Sequence, residues 1–230
     1  MTDDRHLDTT ARWNELHAVP RFSPIYPSES VIRWTFRNFP RDRAGEVRLL
    51  DIGAGAGRHA AFWARETYGA TATDVSPVAM SQVMEWARRE SLDIAGQVAE
   101  ADALPFRDES FDGILSFGVL YYLPYPRMRQ AIGEIWRVLK PAGKALVMVK
   151  SDADSRCRGA ERVDCCSYRV AEPEHGAFWG SEVGMVLTLL DKDALRECFA
   201  GFSETIIDRS TVTTGNGRFI DDDWLIQVRK

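Results

Sequence analysis

The 230-residue chain lacks any apolar run near the roughly 20 residues that cross a bilayer, and its opening Met-Thr-Asp-Asp-Arg-His has no apolar signal core. No membrane partner is expected, and the cytoplasm is the expected compartment. Cysteine and histidine are scarce, at four each. Cys165 and Cys166 are adjacent, Cys157 and Cys198 stand apart, and no C-x-x-C pair or histidine cluster accompanies them. Such spacing does not predict a metal site, and free thiols suit a reducing compartment. Positive charge is short as well: the net charge is −5, and the densest basic stretch runs only from Arg37 to Arg43. That balance disfavours a nucleic-acid partner. No internal repeat or low-complexity tract is present, which excludes solenoids and arrays.

A hydrophobic fraction of 45% is enough, at this length, to bury a core without disulfide or metal staples. Residues 1–27 have no clear period but carry Trp13, His17, Phe22 and Tyr26 among three prolines, which suits a clamp or a lid. Ser28 is placed to cap a helix to about residue 39, with Val31, Ile32, Thr35, Phe36 and Phe39 at helical spacing. Strand-like runs at 46–52, 70–74, 94–99, 111–117 and 144–150 then alternate with helical patterns at 57–68, 77–91 and 125–139. Ala60, Ala61, Trp63 and Ala64 face inward in the first of these helices, and Ser76 caps the second before Pro77. Met128, Ile132, Ile135, Trp136 and Leu139 form the stripe of the third. This alternation means an α/β fold with a doubly wound parallel sheet. The pattern breaks at 151–187, a polar stretch with three of the four cysteines, read as an insertion. A helix capped by Asp191 (191–199) and two strands, Phe202–Asp208 and Trp224–Val228, close the chain around a Thr/Gly-rich loop.

The organising stretch is Leu49 to Arg58, where an apolar strand meets glycines at 53, 55 and 57 and a helix follows. Glycine allows the tight turn and the close approach of a ligand, and the helix start offers free N–H groups. Strand ends one to three each deliver a carboxylate: Asp51, Asp74 and Asp102. Ligands of open α/β sheets sit at those strand ends. A carboxylate accepts from both hydroxyls of a ribose, which suits Asp74. Asp102 can accept from an adenine amine, with Ala103 and Leu104 offering backbone contacts. A dinucleotide fingerprint would need a glycine at 58, where Arg58 stands, and no G-K-[ST] phosphate loop follows. Arg58 is read as paired to a carboxylate or as a solvated side chain.

The blocks LLDIGAGAGRHA (49–60), TATDVS (71–76), AEADALPFRDESFDGILSFGVLYYL (99–123) and EIWRVLKPAGKALV (134–147) are similar to those of class I S-adenosylmethionine-dependent methyltransferases. The resemblance covers about residues 45–150. It implies a Rossmann-like seven-stranded sheet of order 3-2-1-4-5-7-6 with strand 7 antiparallel, S-adenosyl-L-methionine as cofactor, and transfer of its methyl group. It also implies roles for residues. Asp51, Gly53, Ala54 and Gly55 would hold the methionine end, with Arg58 nearby. Asp74 would take the ribose, Asp102 and Ala103 the adenine, and Ser116 and Phe117 the sulfonium, with Val75 and Leu104 beside them among the cofactor-binding residues. Ala54 replaces a cysteine of many members, and Ser116 an acid or asparagine of some. The segment from Phe22 to Arg33 resembles the opening helix of small bacterial methyltransferases acting on sugars or secondary metabolites, so Tyr26 and Arg33 are expected to close over the cofactor.

One structural domain is expected, divided into an arm and opening helix as lid (1–44), a cofactor core (45–150), an acceptor-side insertion (151–190) and closing elements (191–230). Methyl transfer is an in-line displacement that needs alignment above all, and a base only for a protonated acceptor. Tyr121, Tyr122 and His175 are the candidate catalytic groups. Lys150, Arg156 and Arg158 would suit an anionic acceptor. The expected acceptor is a small molecule methylated on oxygen or nitrogen, by a monomer or homodimer. Two other readings stand beside it: thiol-assisted methylation of a soft acceptor such as arsenite, and a cofactor-binding regulatory module without catalysis. A nucleic-acid methyltransferase is disfavoured because Ser116-Phe-Gly-Val replaces an N/D-P-P-Y tetrad.

Overall fold

The computed structural model describes residues 9–19 and 24–230. Helices α1 (Thr9–His17) and α2 (Glu29–Asn38) precede β1 (Arg48–Ile52), α3 (Arg58–Arg65), β2 (Gly69–Asp74), α4 (Pro77–Glu90) and β3 (Ile94–Val98). Then follow β4 (Phe111–Phe117), α5 (Tyr125–Val138) and β5 (Leu139–Lys150). The short strands β6 (Glu161–Arg162), β7 (Ser167–Arg169) and β8 (Val186–Thr188) lead to α6 (Lys192–Cys198), β9 (Glu204–Thr214) and β10 (Phe219–Arg229). The main sheet has the order β3-β2-β1-β4-β5-β10-β9. Its first five strands are mutually parallel, and β10 runs antiparallel to both neighbours. Counted within this sheet alone, that is the expected 3-2-1-4-5-7-6.

Helices cover both faces, so the central strands are apolar on both sides. On β1, Leu49 packs with Trp34, Trp63 and Val83 from α2, α3 and α4. Leu50 and Ile52 point the other way, into a cluster with Met128 and Ile135 of α5. Each of these buried leucines contributes about 1.5–3 kcal/mol of transfer free energy. Local signals set the helix starts. Ser76 Oγ accepts from the Ala79 N–H at 3.1 Å, and Asp191 Oδ1 accepts from the Asp193 and Ala194 N–H groups. Ser28 precedes α2 without a side-chain cap; its backbone N–H instead donates to His59 Nε2.

Several expectations are corrected. Part of the aperiodic arm is a helix, α1, tied to α4 by Ser76 Oγ donating to Asn14 Oδ1 (2.6 Å) and Gln82 Nε2 donating to the His17 carbonyl (2.8 Å). Phe22 lies outside the described residues. The insertion holds a three-stranded antiparallel sheet, β6-β7-β8, whose strands are too short to show a period. Its Val170, Trp179 and Leu187 join the α5 core. The closing strands are longer than expected because β-branched Thr211, Val212 and Thr213 extend β9 up to a turn in which Gly215, Asn216 and Gly217 all have positive φ. Trp136 is 44% exposed rather than in the stripe, with Lys230 Nζ 4.1 Å above its ring. Among the described residues, no helix is long and apolar enough to cross a membrane.

Candidate active site

The turn from β1 into α3 is shaped by backbone that only glycine adopts freely: φ is +68° at Gly53 and +90° at Gly57. A Cβ on Gly53 would lie 2.3 Å from Val119 Cγ2, so the turn after β4 is fitted against it. Asp74, at the end of β2, accepts from the Gly55 N–H on Oδ2 and from the Ser76 N–H on Oδ1, both at 2.9 Å. Each oxygen keeps capacity for a further bond. Asp51 is buried, and its Oδ2 has no hydrogen-bond partner. His59 Nδ1 stands 3.8 Å from it. Burial pushes the Asp51 carboxyl up to about 7, against the pull of the Arg58 charge. Burial, reinforced by Arg58, holds His59 down at about 3, so its ring is neutral.

These strand ends open into a cavity of about 530 Å³. Gly53, Ala54, Gly55, Arg58, Asp74, Val75, Phe117, Tyr121 and Tyr122 all reach its wall. Asp51 and Ser116 lie buried behind it, and Ser116 Oγ also lacks a partner. Beyond β3 the wall is formed by Ala99, Glu100 and Ala101 with Arg127, and not by Asp102, Ala103 or Leu104. The cause is local: the chain folds back from Glu100 to Ala103, and Arg127 grips both Asp102 oxygens at 2.5 and 2.7 Å. The Leu104 N–H is spent on Glu134 Oε2 at 2.8 Å.

Three sequence candidates fall elsewhere. Tyr26 is 77% exposed, and Arg33 points outward to an ion pair with Glu29 at 3.3 Å. His175 is exposed in the insertion. None of the three lines the cavity, and no cysteine does, which leaves the thiol reading without a contact. His17 and His59, by contrast, are both buried wall residues.

The far end of the cavity is built of side chains. The Tyr121 hydroxyl donates to Tyr122 at 3.2 Å, and the Tyr122 hydroxyl donates to Glu182 Oε1 at 2.6 Å. Arg156 Nε donates to Glu182 Oε2 at 2.5 Å, and its Nη1 reaches Asp154 and Asp221. Lys150 is ringed by Asp154, Asp221 and Asp223. Both cations are therefore neutralised below the surface, which removes them as recognition groups for an anion. Burial drives the Tyr121 hydroxyl up to about 12 and holds Tyr122 well above the ordinary phenol value, so both stay protonated. Trp13, Glu100, Arg127 and Glu182 are wall residues missed as site candidates. Only Trp13, an aromatic in an irregular arm, carried a signal; Glu182 sits in a stretch with no period.

Residues 50–147 match the family model described as a methyltransferase domain. They form a class I S-adenosylmethionine-dependent methyltransferase domain. The uncharacterized methyltransferase YodH of Bacillus subtilis is 37% identical to this chain over 95 residues, 41% of this chain and 40% of that protein. The ubiquinone/menaquinone biosynthesis C-methyltransferase UbiE of Nitrobacter hamburgensis is 34% identical over 140 residues, 57% of this chain and 53% of that protein. The chain thus spans about half or less of the length of these curated relatives. A SAM-dependent methyltransferase of Methanosarcina mazei shares the fold, with a TM-score of 0.64 at 22% identity over 80% of this chain and 92% of that one. The cofactor of such a domain is S-adenosyl-L-methionine, and the residues present fit it. The turn brings Gly53, Ala54 and Gly55 to the cavity wall, Asp74 retains acceptor capacity, and the orphaned Asp51 Oδ2 lies behind the turn.

Proposed function

We propose that this protein transfers the methyl group of S-adenosyl-L-methionine to an oxygen or nitrogen of a small molecule. The observation that carries this is a single cavity running from the Gly53–Gly55 turn to the Tyr121–Tyr122 pair. Its volume of about 530 Å³ falls within the range of small-ligand sites. The name of UbiE, which places that relative in quinone biosynthesis, supports a small-molecule acceptor.

The donor supplies a methyl group already activated on a positive sulfur. What the chain must add is binding, alignment and exclusion of water. Asp74 would take the ribose hydroxyls, and Gly53, Ala54 and Gly55 the methionine end, with Asp51 behind them. Phe117 would flank the sulfur. Ala99 to Ala101 would take the adenine side, in place of Asp102, which Arg127 occupies. The 1–44 segment acts in this reading as a lid: Trp13 and His17 of α1 line the cavity, and Arg12 Nη2 bonds the Ser181 carbonyl at 3.0 Å. Segment 45–150 is then the cofactor core, 151–190 the acceptor side through Glu182, and 191–230 the closing elements.

Calorimetric titration of the full chain with S-adenosylhomocysteine tests the donor half, and binding is expected. An acceptor screen that follows S-adenosylhomocysteine release tests transfer. No binding by folded protein overturns the proposal; binding without release across a broad screen leaves the regulatory module.

A further inference from the structure

The acceptor end has an unusual charge arrangement. Two cations, Lys150 and Arg156, are packed with four carboxylates: Asp154, Glu182, Asp221 and Asp223. Of these six groups only Glu182 reaches the cavity wall. What the cavity meets from this ionic cluster is therefore a carboxylate, with the cations held behind it. Around that carboxylate the wall is aromatic. Trp13 stands edge-on to Tyr122, with ring centres 4.7 Å apart, and Tyr121 lies 4.2 Å from Tyr122. Aromatic faces beside a carboxylate attract a cation, through the ring quadrupole and through charge. An anion placed there would meet the Glu182 carboxylate first, with the cation of Arg156 behind it. A neutral alcohol would gain hydrogen bonds but no charge attraction.

We propose that Trp13, Tyr121, Tyr122 and Glu182 form a subsite for a primary or secondary amine, with Glu182 as the base that receives its proton through the Tyr122 hydroxyl. This rests on the methyl-transfer reading above and names its acceptor class. The hydroxyl of Tyr122 already donates to Glu182 Oε1. It accepts a proton from the substrate ammonium while passing its own to the carboxylate. The freed nitrogen lone pair forms the N–CH₃ bond. The S–CH₃ bond breaks with its electron pair going to sulfur, which leaves as a neutral thioether. The product is a methylated ammonium, and Glu182 returns its proton to solvent. Arg156 is a positioning residue: its Nε bond fixes the second oxygen of Glu182 and leaves the first for Tyr122.

The test uses three probes of matched shape on the full chain saturated with S-adenosylhomocysteine: phenethylamine, 2-phenylethanol and phenylacetate, followed by calorimetry. Phenethylamine is expected to bind at least tenfold tighter than the other two. Glu182→Gln is expected to cost the amine tenfold or more and leave 2-phenylethanol within threefold. Equal binding of the three probes, or tighter binding of the alcohol or the acid, overturns the inference on wild-type protein, whether or not the variant folds. Trp13→Ala gives a second readout, with a threefold to tenfold loss expected for the amine alone. Failure of S-adenosylhomocysteine to bind at the outset would instead overturn the methyl-transfer reading, so the two failures are distinguishable.

Discussion

The two ends of the cavity both bury carboxylates, yet they satisfy them by opposite means. At the donor end the partners are local and mostly backbone. Asp74 is held by the N–H groups of Gly55 and Ser76, and Asp51 keeps one oxygen unsatisfied. At the acceptor end the partners are charged side chains drawn from three separate segments, 150–156, 182 and 221–223. A backbone cradle tolerates side-chain changes around it but no added Cβ. An ion cluster tolerates small changes of shape but not the loss of one charge. The donor end is thus left incomplete for a ligand to finish, whereas the acceptor end is nearly complete in itself.

Removing one cation should break this contrast most strongly. Arg156→Met leaves Asp154 and Glu182 short of a partner in a buried setting. Losing one member of a buried ion pair costs about 3–5 kcal/mol, so urea unfolding should show a loss of that size. An unchanged midpoint would mean that water already compensates the cluster. At the other end, Gly53→Ala adds a Cβ 2.3 Å from Val119 Cγ2 at a residue with φ of +68°. S-adenosylhomocysteine affinity should fall about a hundredfold, or roughly 2.7 kcal/mol. The double change with Val119→Ala should recover part of the loss, because it removes the clash and leaves only the backbone strain.

Asp51→Asn separates the ends by pH. The ordinary carboxyl value of 3.8 rises to about 7 in the folded protein. Below 3.8 the group is protonated in both states and has no effect. Between those values the unfolded chain ionises and the folded chain does not, so stability falls as pH rises, and the full penalty applies above about 7. His59 runs the other way: its lowered value costs stability at acid pH, and the cost disappears as pH climbs through 6.5. The asparagine variant should therefore match wild type near pH 4 and exceed it at about pH 8, on the order of 2 kcal/mol, in thermal unfolding. Donor affinity should fall at the same time. A variant less stable than wild type at about pH 8 would mean that Asp51 is ionised and paired in the fold.

The difference between the two ends also explains what could be read in the sequence. The donor end is contiguous: Asp51, the glycines and Asp74 lie at two neighbouring strand ends, and strand periodicity places them. The order of the sheet was implied by the family resemblance that those blocks carry. Asp102 shows the limit, since its capture by Arg127, 25 residues away, depends on how α5 starts. The acceptor end was legible only in Tyr121 and Tyr122, next to a strand end. Glu182 comes from a three-residue turn of helix, and its partners, Tyr122 and Arg156, come from the turn after β4 and the segment after β5. No period marks such a residue. Lys150 and Arg156 looked like anion binders because a sequence shows charges but not the aspartates folded against them.

The smallest effects are expected from residues outside both ends. Tyr26→Phe, Arg33→Ala and His175→Ala should each leave S-adenosylhomocysteine affinity within twofold by calorimetry. The Arg33 side chain is 63% exposed and its Glu29 partner 81%, a surface pair worth at most about 1 kcal/mol. For Tyr26 the reason is more specific. The atom that meets the site is its backbone carbonyl, which accepts from Arg58 Nη1 at 3.4 Å, while the ring stays in solvent. A change of ring leaves that carbonyl in place. Arg58→Ala removes the contact, and with it the charge that opposes the rise of Asp51. A tenfold loss of affinity in Tyr26→Phe would show that the ring moves onto the bound donor. A loss in Arg58→Ala alone would confine the coupling between the segment before α2 and the glycine turn to one guanidinium and one carbonyl.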